Sequence, residues 1–295
     1  MPSAKEIKER ISGVRETKQI TSAMYLVAST KLRHAREDLE KTRPYFDALR
    51  SEIKKVFRAD DHTVSRYFID EDGTLPDSGV CGILAITGDK GLAGAYNMNV
   101  LRRVEALRKE HPDARTFVIG EYGRRYFHTH RIPYEEDFLY TAQAPSQDIS
   151  REICTRLLSL YETAQLNELL VVYTDMRSSM SAEVQVQRLL PLDREQFSGD
   201  AEQAGEGRFE FFPSQEAVVA AVMRSYLSGF IYSATVDSLC SEQNARVTAM
   251  EAANRNAEEL LGDLALQLNR ERQSAITQEI TEISAGAQAQ RRSKG

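Results

Sequence analysis

The fold is decided by residues 217–286, which read AVVAAVMRSYLSGFIYSATVDSLCSEQNARVTAMEAANRNAEELLGDLALQLNRERQSAITQEITEISAG. This stretch contains no proline, and its apolar or small residues recur at spacings of three and four over many turns. The recurring positions are Val222, Tyr226, Gly229, Ser233, Val236, Cys240, Gln243, Val247, Met250, Asn254, Ala257, Leu261, Leu264 and Leu268. About seventy helical residues would span roughly 100 Å. The pattern therefore predicts one long helix that needs a partner for its apolar seam.

A matching seam begins at the N-terminus. Ser3 is followed three residues later by Glu6, a capping-box pattern that predicts the start of a helix. Pro44 predicts a kink rather than a stop, because apolar residues resume after it. Two interleaved seven-residue repeats run through Ile7, Val14, Thr21, Ala28, Ala35, Thr42, Leu49 and Val56, and through Ile11, Lys18, Tyr25, Leu32, Leu39, Phe46 and Ile53. The two seams predict a long antiparallel coiled coil of the N- and C-terminal helices.

The middle of the chain alternates predicted strands with predicted helices, which indicates a small parallel or mixed sheet. The strands are 80–87, 116–120, 168–173 and 182–190, and the helices are 97–110, 121–129 and 148–165. Polar residues predict a linker or exposed loop at 59–78 and a loop at 199–208, before a short edge strand at 209–212. The predicted fold class is α/β, with a Rossmann-like domain inserted into the coiled coil. The predicted domains are an N-terminal coiled-coil helix (1–58), a globular α/β foot domain (59–216) and a C-terminal coiled-coil helix (217–295).

Composition narrows the class of protein. The chain has 295 residues, of which 41% are hydrophobic and 28% charged, values ordinary for a globular protein. No uninterrupted apolar run approaches the roughly 18 residues that cross a bilayer, so no direct membrane insertion is expected. The three cysteines, Cys81, Cys154 and Cys240, show no metal-ligand spacing and predict reduced cytosolic thiols.

Charge is divided unevenly along the sequence. Residues 1–58 carry 14 basic and 8 acidic side chains, whereas residues 59–216 carry 16 basic and 27 acidic ones. The basic helix either meets an acidic surface or is simply the solvated face of a coiled coil. Nucleic-acid binding is not expected, because the net charge is −6 and the basic helix lacks interleaved aromatic residues at its N-terminal end.

The best candidate for chemistry is the turn GDKGLAG at residues 88–94. A glycine turn between a strand and a helix is typical of phosphate binding, but these glycines match neither the dinucleotide fingerprint nor the P-loop. A tight structural turn is the alternative, with Asp89 and Lys90 as foot-loop contact residues on an exposed loop. The sequence contains no recognisable nucleophile–base or metal constellation, so we predict no catalysis, cofactor or metal.

Three blocks of the sequence resemble one family. They are AKEI, KQITSAM and VASTKL within residues 4–32, the turn at 88–94 with Asn97, and EQNAR at 242–246 followed by RQSAITQEI at 272–280. In this order they resemble the gamma subunit of F-type ATP synthase, of the bacterial type. Ala93 stands where a cysteine is common in the family, and the insertion with paired cysteines of chloroplast members is absent.

The resemblance implies a function. Members of this family form the central rotor shaft, whose coiled coil lies inside a hexamer of alpha and beta subunits. The globular foot sits with the epsilon subunit on the membrane c-ring, and ion-driven rotation of the ring cycles the catalytic beta subunits through their conformations. The subunit itself is non-catalytic. It is expected at the cytoplasmic face of the bacterial plasma (inner) membrane as a peripheral part of the complex.

The resemblance also implies roles for single residues. Met24, Arg272 and Gln273 are expected to contact the alpha/beta hexamer. Glu242, Gln243 and Arg246 are expected to serve rotor integrity or subunit contact. Two alternatives stay open: a free-standing coiled-coil scaffold with a nucleotide-sensing α/β domain, and an enzyme that turns over substrate alone.

Overall fold

The computed structural model describes residues 3–59, 67–69, 79–178, 181–193, 212 and 214–292. In chain order its elements are α1 Ala4–Ala59, β1 Val80–Ile86, α2 Tyr96–Glu110, β2 Arg115–Ile119, α3 Glu121–His130, α4 Gln147–Glu162, β3 Leu166–Ser178, β4 Ser181–Leu190 and α5 Gln215–Arg292. They form two compact units. The hairpin unit comprises Met1–Val27 and Val247–Gly295, and the α/β unit comprises Ala28–Arg246.

The first helix begins at the predicted cap. The backbone N–H of Glu6 donates to Ser3 Oγ at 3.3 Å, and the backbone N–H of Ser3 donates to Glu6 Oε2 at 3.0 Å. This reciprocal pair satisfies two of the backbone donors that a helix start leaves free. Helix α1 then continues through Pro44 to Ala59, so the proline does not stop it. The predicted long N-terminal helix is confirmed.

In the hairpin unit the two helices run antiparallel. Lys18 Nζ lies 2.7 Å from Glu258 Oε1, and Thr21 Oγ1 donates to the side-chain oxygen of Asn254. A step forward along α1 therefore corresponds to a step back along α5. Apolar seam positions of this unit, such as Ile7 and Leu264, are almost completely buried. The seam thus combines apolar packing with a few polar pairs, as the sequence pattern predicts.

The α/β unit is built on a four-stranded sheet of order β2-β1-β3-β4. Strand β1 pairs in parallel with β2 and β3, and β4 pairs antiparallel with β3, so the predicted mixed sheet is confirmed. One face carries a core with residues of α4 and α5, among them Leu157, Met223 and Leu227. The other face carries a core with α2 and α3, including Val104 and Phe127. Helices therefore cover both faces, as in other parallel-sheet domains.

Part of the predicted exposed linker is buried instead. Tyr67 and Phe68 lie within the larger core, and Phe68 forms a parallel bridge with Leu192. The prediction of an exposed segment at 59–78 is therefore wrong for these two residues, because their aromatic side chains bury apolar area that outweighs the polar character of their neighbours. Residues 60–66 and 70–78 lie outside the described residues, as do the predicted loop at 199–208 and residues 209–211 of the predicted edge strand.

One strand is longer than predicted, and the two compact units do not coincide with the predicted domains. Strand β3 extends to Ser178, five residues beyond its predicted end, because it pairs along its length with β4. The predicted division into domains 1–58, 59–216 and 217–295 follows segments of sequence, whereas each compact unit takes in parts of both terminal helices. That division stays a prediction.

One helix has the length and apolar composition of a membrane span. An 18-residue window within Ala217–Gly286 meets this test, although no uninterrupted apolar run does. A helix that packs in a protein core passes the same test. In this helix Met223, Leu227 and Ile231 are 1% exposed and belong to the core of the α/β unit. Core packing accounts for its apolar face.

Candidate functional site

The candidate site lies where β1 ends and the chain turns into α2. In the sheet β1 stands between β2 and β3, so the connection from β1 leads to one side while β3 pairs on the other. In open α/β sheets, ligands bind in the crevice beyond the carboxyl ends of strands at such a switch point. Here residues of α5 from the same unit occupy this position. We call Gly88–Gly94, Asn97, Glu242 and Arg246 the turn–helix junction.

Gly88 allows the close approach of the turn to α5. Its backbone N–H donates to Asn97 Oδ1 at 2.8 Å, and Asn97 Nδ2 donates to the carbonyl of Lys90 at 3.2 Å. A Cβ atom at Gly88 would lie 2.6 Å from Glu242 Oε1. Heavy atoms do not pack at that distance without a hydrogen bond. The residue is therefore glycine for a steric reason, which is independent of phosphate binding.

Glu242 and Arg246 connect α5 to this turn. One turn of helix separates them, and Arg246 Nη2 lies 2.5 Å from Glu242 Oε1. The same Nη2 donates to the carbonyl of Gly91 at 3.1 Å and is 3.5 Å from that of Lys90. The Glu242 side chain is 1% exposed and that of Arg246 is 11% exposed. The pair is thus desolvated, and its charges are compensated by each other and by the turn.

The protonation of Glu242 reflects this burial. Desolvation raises the pKa of its carboxyl above the ordinary value, and the charge and hydrogen bond of Arg246 oppose that rise. Burial and the nearby Glu242 also raise the pKa of the Tyr96 hydroxyl. Both shifts have a structural cause, namely removal from water, so they do not by themselves indicate an acid–base role.

Hydroxyl groups extend the contact between α5 and the sheet. The backbone N–H of Thr174 on β3 donates to Ser238 Oγ at 3.3 Å, and Ser241 Oγ donates to the carbonyl of Thr174 at 3.3 Å. Small hydroxyl side chains allow the helix backbone to lie close to the strand while the backbone N–H and carbonyl of Thr174 keep partners.

Asp89 binds loops within the α/β unit. Its Oδ1 accepts from the backbone N–H of Glu121 at 3.0 Å, and its Oδ2 accepts from Thr141 Oγ1 and from the backbone N–H groups of Ala142 and Gln143. Both oxygens are therefore engaged inside the protein. Lys90, in contrast, is exposed and lines a surface groove of about 490 Å³ together with Arg125 and His130. Of the two predicted contact residues, Lys90 is the more accessible.

The polarity of the turn decides what it can bind. A phosphate loop directs several backbone N–H groups at the ligand. In this turn the carbonyls of Lys90 and Gly91 accept from Arg246, and the N–H of Gly88 is already bonded to Asn97. The junction therefore presents acceptors to a cation of its own chain. Its chemistry suits a fixed connection between helix and domain.

The structure brings only some of the predicted residues together. Glu242 and Arg246 meet the turn, and Gln243, which is buried, has its Nε2 3.4 Å from Glu242 Oε2. Met24, Arg272 and Gln273 belong to the hairpin unit instead. Met24 is half-buried, whereas Arg272 and Gln273 are exposed.

The exposed end of α5 also carries apolar side chains. Ile276, Ile280 and Ile283 recur at helical spacing, and more than half of each is accessible to solvent. Among the described residues, Arg272 has no ion pair or hydrogen bond through its side chain. An apolar row beside free polar groups is typical of a surface that meets another molecule.

The sequence assigns no role to two residues that hold the turn, Asn97 within the junction and Thr141 outside it. Asn97 enters the sequence analysis only through the family resemblance, although asparagine side chains commonly hydrogen-bond to the backbone of a nearby turn. Thr141 had no usable signal, because it reaches Asp89 from a loop far along the chain.

The fold and the junction together define a class of protein: a helical hairpin with an inserted α/β domain, whose main buried polar site connects its own elements. A family model described as ATP synthase matches residues 3–290. The chain belongs to the ATP synthase gamma chain family.

Individual relatives agree with this assignment. The chain is 38% identical over 295 residues to the ATP synthase gamma chain of Acetivibrio thermocellus, with 98% of this chain and 99% of the relative covered. It is 34% identical to the gamma chain of Acetobacterium woodii that is described as sodium ion specific, with 97% and 98% covered.

Solved structures agree on the fold. The Euglena gracilis mitochondrial ATP synthase, in a structure of OSCP, F1 and c-ring, contains a chain that matches with a TM-score of 0.65 at 20% identity. The match covers 99% of this chain and 96% of that one. A central stalk chain of the Tetrahymena thermophila mitochondrial enzyme matches with a TM-score of 0.60 at 22% identity, over 79% and 99%. The predicted fold class is therefore confirmed.

Proposed function

We propose that this chain is the central rotor shaft of an F-type ATP synthase. It couples ion-driven rotation of the c-ring to the conformational cycling of catalytic beta subunits, for ATP synthesis or hydrolysis. Its partners are an alpha/beta hexamer, an epsilon subunit and the c-ring. Membership in the gamma chain family over nearly the whole sequence is the observation that carries this proposal.

The turn–helix junction supports a mechanical role. A shaft transmits torque only if its domain and helix do not turn independently of each other. Within the α/β unit, α5 is connected to the turn by Arg246 and to β3 by Ser238 and Ser241. Because these contacts are buried and directional, rotation of the sheet about the helix would break several hydrogen bonds at once. Glu242, Gln243 and Arg246 thus serve rotor integrity.

The exposed end of α5 supports a role in contact with other subunits. Arg272 offers five donors in a planar array and Gln273 both donor and acceptor groups. Such side chains can form hydrogen bonds with a catalytic-subunit loop in one rotational state and release them in the next. A partner shifts a conformational equilibrium only by the difference of its contact energy between the states. Met24 is assigned to the same hexamer contact, and Lys90 to a contact of the foot loop.

The chain itself performs no bond chemistry in this proposal. Beyond the carboxyl end of β1, Glu242 and Arg246 contact the turn, whose carbonyls face a guanidinium. Catalysis belongs to the complex of which the chain is a part. The complex lies at the cytoplasmic face of the bacterial plasma membrane, and this subunit reaches the membrane through the c-ring.

Reconstitution tests the proposal. The full chain is co-expressed with alpha and beta subunits of a close bacterial relative, and the purified complex is assayed for subunit stoichiometry and ATP hydrolysis. We expect alpha and beta in excess over this chain and a hydrolysis rate that depends on it. The same subunits without the chain, and the chain alone, are the controls. Failure to assemble, or ATP turnover by the isolated chain, would contradict the proposal.

A further inference from the structure

A second cluster of reactive side chains lies at the opposite end of β1 from the glycine turn. Cys81 and Glu168 are direct neighbours across the parallel pair β1 and β3, next to an irregularity in the register between Val80 and Cys81. His111 directly follows the last residue of α2 as its C-cap, and Leu107 of that helix packs in the same core as Cys81. The strands β1 and β3 and the C-terminal end of α2 thus bring three different potential metal ligands together.

The donor atoms are close enough to share one ion. The Cys81 sulfur, a ring nitrogen of His111 and a carboxylate oxygen of Glu168 all lie within 4.8 Å of one another. Cys81 is 6% exposed and Glu168 is 3% exposed, while His111 is half-buried. In tetrahedral zinc sites, bonds of about 2.0–2.3 Å place ligand atoms roughly 3.5 Å apart. The cluster would have to contract by at most about 1.3 Å to reach this spacing, and the half-buried imidazole has the most freedom to move.

We propose that Cys81, His111 and Glu168 bind a divalent cation of the Zn²⁺ class. A thiolate, an imidazole and a carboxylate form the mixed S, N, O set that suits a borderline-soft metal, whereas Mg²⁺ and Ca²⁺ take oxygen ligands. Three protein ligands leave the fourth position to water. The end of α2 adds to the attraction, because the carbonyls at a helix C-terminus favour a cation.

Without a cation, Cys81 and Glu168 have other hydrogen-bond partners. The Cys81 thiol donates to the carbonyl of Gly82, 3.8 Å away, and burial, followed by the charge of Glu168, raises the pKa of this thiol to about 12, so the sulfur keeps its proton. Arg188 Nε donates to Glu168 Oε1 at 2.7 Å. On binding, the metal–sulfur bond forms, the thiol proton leaves to solvent, and the cation balances the thiolate. Because Arg188 already compensates Glu168, we expect micromolar rather than tighter affinity.

Cobalt titration tests this site directly. The purified full-length chain, reduced and stripped of metal, is titrated with Co²⁺ while the ultraviolet thiolate-to-cobalt charge-transfer absorption is followed. We expect one equivalent of Co²⁺ to produce the band, Zn²⁺ to remove it by competition and Mg²⁺ to leave it unchanged. The absence of any such band at millimolar Co²⁺ would overturn the proposal.

Substitutions identify the ligands. Cys81→Ser should abolish the band, and His111→Ala should weaken Co²⁺ binding at least tenfold. Cys154→Ser removes another buried thiol and His128→Ala an exposed imidazole, so both are controls that should bind as the unmodified chain does. Circular dichroism checks that each variant is folded. If Cys81→Ser does not fold, His111→Ala decides alone. Unchanged binding in His111→Ala, or loss in either control, would contradict the assignment.

Discussion

Two stretches of the same helix use polar residues in opposite ways. Around residues 238–246 of α5, the ion pair of Glu242 and Arg246 is buried and bonded to the turn. Around residues 272–283, Arg272 and Gln273 are exposed beside an exposed row of isoleucines. A polar group that is paired inside a protein is costly to remove, but it is not available to bind another molecule. A polar group free at the surface costs little to remove and matters only when something binds it.

The largest expected effect is a difference in unfolding free energy between a variant of Arg246 and a variant of Arg272. Arg246→Met leaves Glu242 as an uncompensated buried carboxylate and should lower the free energy of unfolding by about 3–5 kcal/mol. Arg272→Met, at an exposed position, should change it by less than about 0.5 kcal/mol. Urea unfolding of the full chain followed by circular dichroism measures both. Similar losses for the two variants would erase the distinction drawn between the stretches.

The second expected effect is on ATP hydrolysis, and it concerns the exposed stretch of α5. Arg272→Leu removes a cation whose charge-assisted hydrogen bonds can each contribute about 1.5–3 kcal/mol to contact with a partner, and Gln273→Ala removes a neutral amide whose hydrogen bonds contribute about 0.5–1.5 kcal/mol. ATP hydrolysis by the assembled complex should fall by roughly one to several factors of ten, with subunit stoichiometry unchanged. Arg255→Leu, another exposed arginine of the hairpin unit, is the matched control. If the double variant hydrolyses ATP at the unmodified rate, these residues are ordinary surface groups.

A third test compares two glycines. Gly88→Ala places a Cβ atom 2.6 Å from Glu242 Oε1, and Glu242 cannot yield freely because Arg246 holds it. A loss of about 1–3 kcal/mol in unfolding free energy is expected. At Gly262, an exposed helical position, the added methyl meets nothing within 4 Å. Gly262→Ala should therefore stabilise the chain by about 0.5–1 kcal/mol. Thermal or urea unfolding distinguishes the two, and a neutral Gly88→Ala would show that the junction is loosely packed.

The smallest effect is a pH dependence at the buried pair. Burial raises the pKa of Glu242 in the folded state, with Arg246, Asp89 and Lys31 as the charged groups around it. A raised pKa contributes stability below the unfolded value near 4.5, and this contribution is lost as pH rises through the folded value. Glu242→Gln lacks this contribution.

Paired urea unfolding of the unmodified chain and Glu242→Gln, between mildly acidic and neutral pH, measures it. The stability advantage of the unmodified chain should shrink as pH rises, while titrations elsewhere cancel in the difference. A difference that is constant or grows with pH would show that Arg246 outweighs the burial of Glu242.

The sequence was sufficient for the parts of the fold that rest on periodicity. Seam positions such as Ile7, Ala28 and Leu264 are buried, and the capping box of Ser3 and Glu6 forms. Repeated patterns of three and four average over many turns, so single exceptions do not hide them. The alternation of strands and helices likewise indicated the mixed sheet.

Features that depend on distant parts of the chain could not be predicted in this way. The burial of Tyr67 and Phe68 follows from contacts with the core, which their polar neighbours conceal. The role of Asp89 in binding loops depends on Thr141, and the cluster of Cys81 with His111 depends on strand register and a helix end. The spacing of residues within a short segment does not indicate contacts with distant parts of the chain.

The burial of the cysteines has a practical consequence for optical work on rotation. Cys81, Cys154 and Cys240 are all buried and form no disulfide, and burial raises the thiol pKa of the first two to about 12. Thiol-directed dyes react with accessible thiolates, so the native chain should take up very little label. One cysteine introduced at an exposed position such as Leu139 would then carry a fluorophore or a bead at a single known point. A cysteine-free background is not required first.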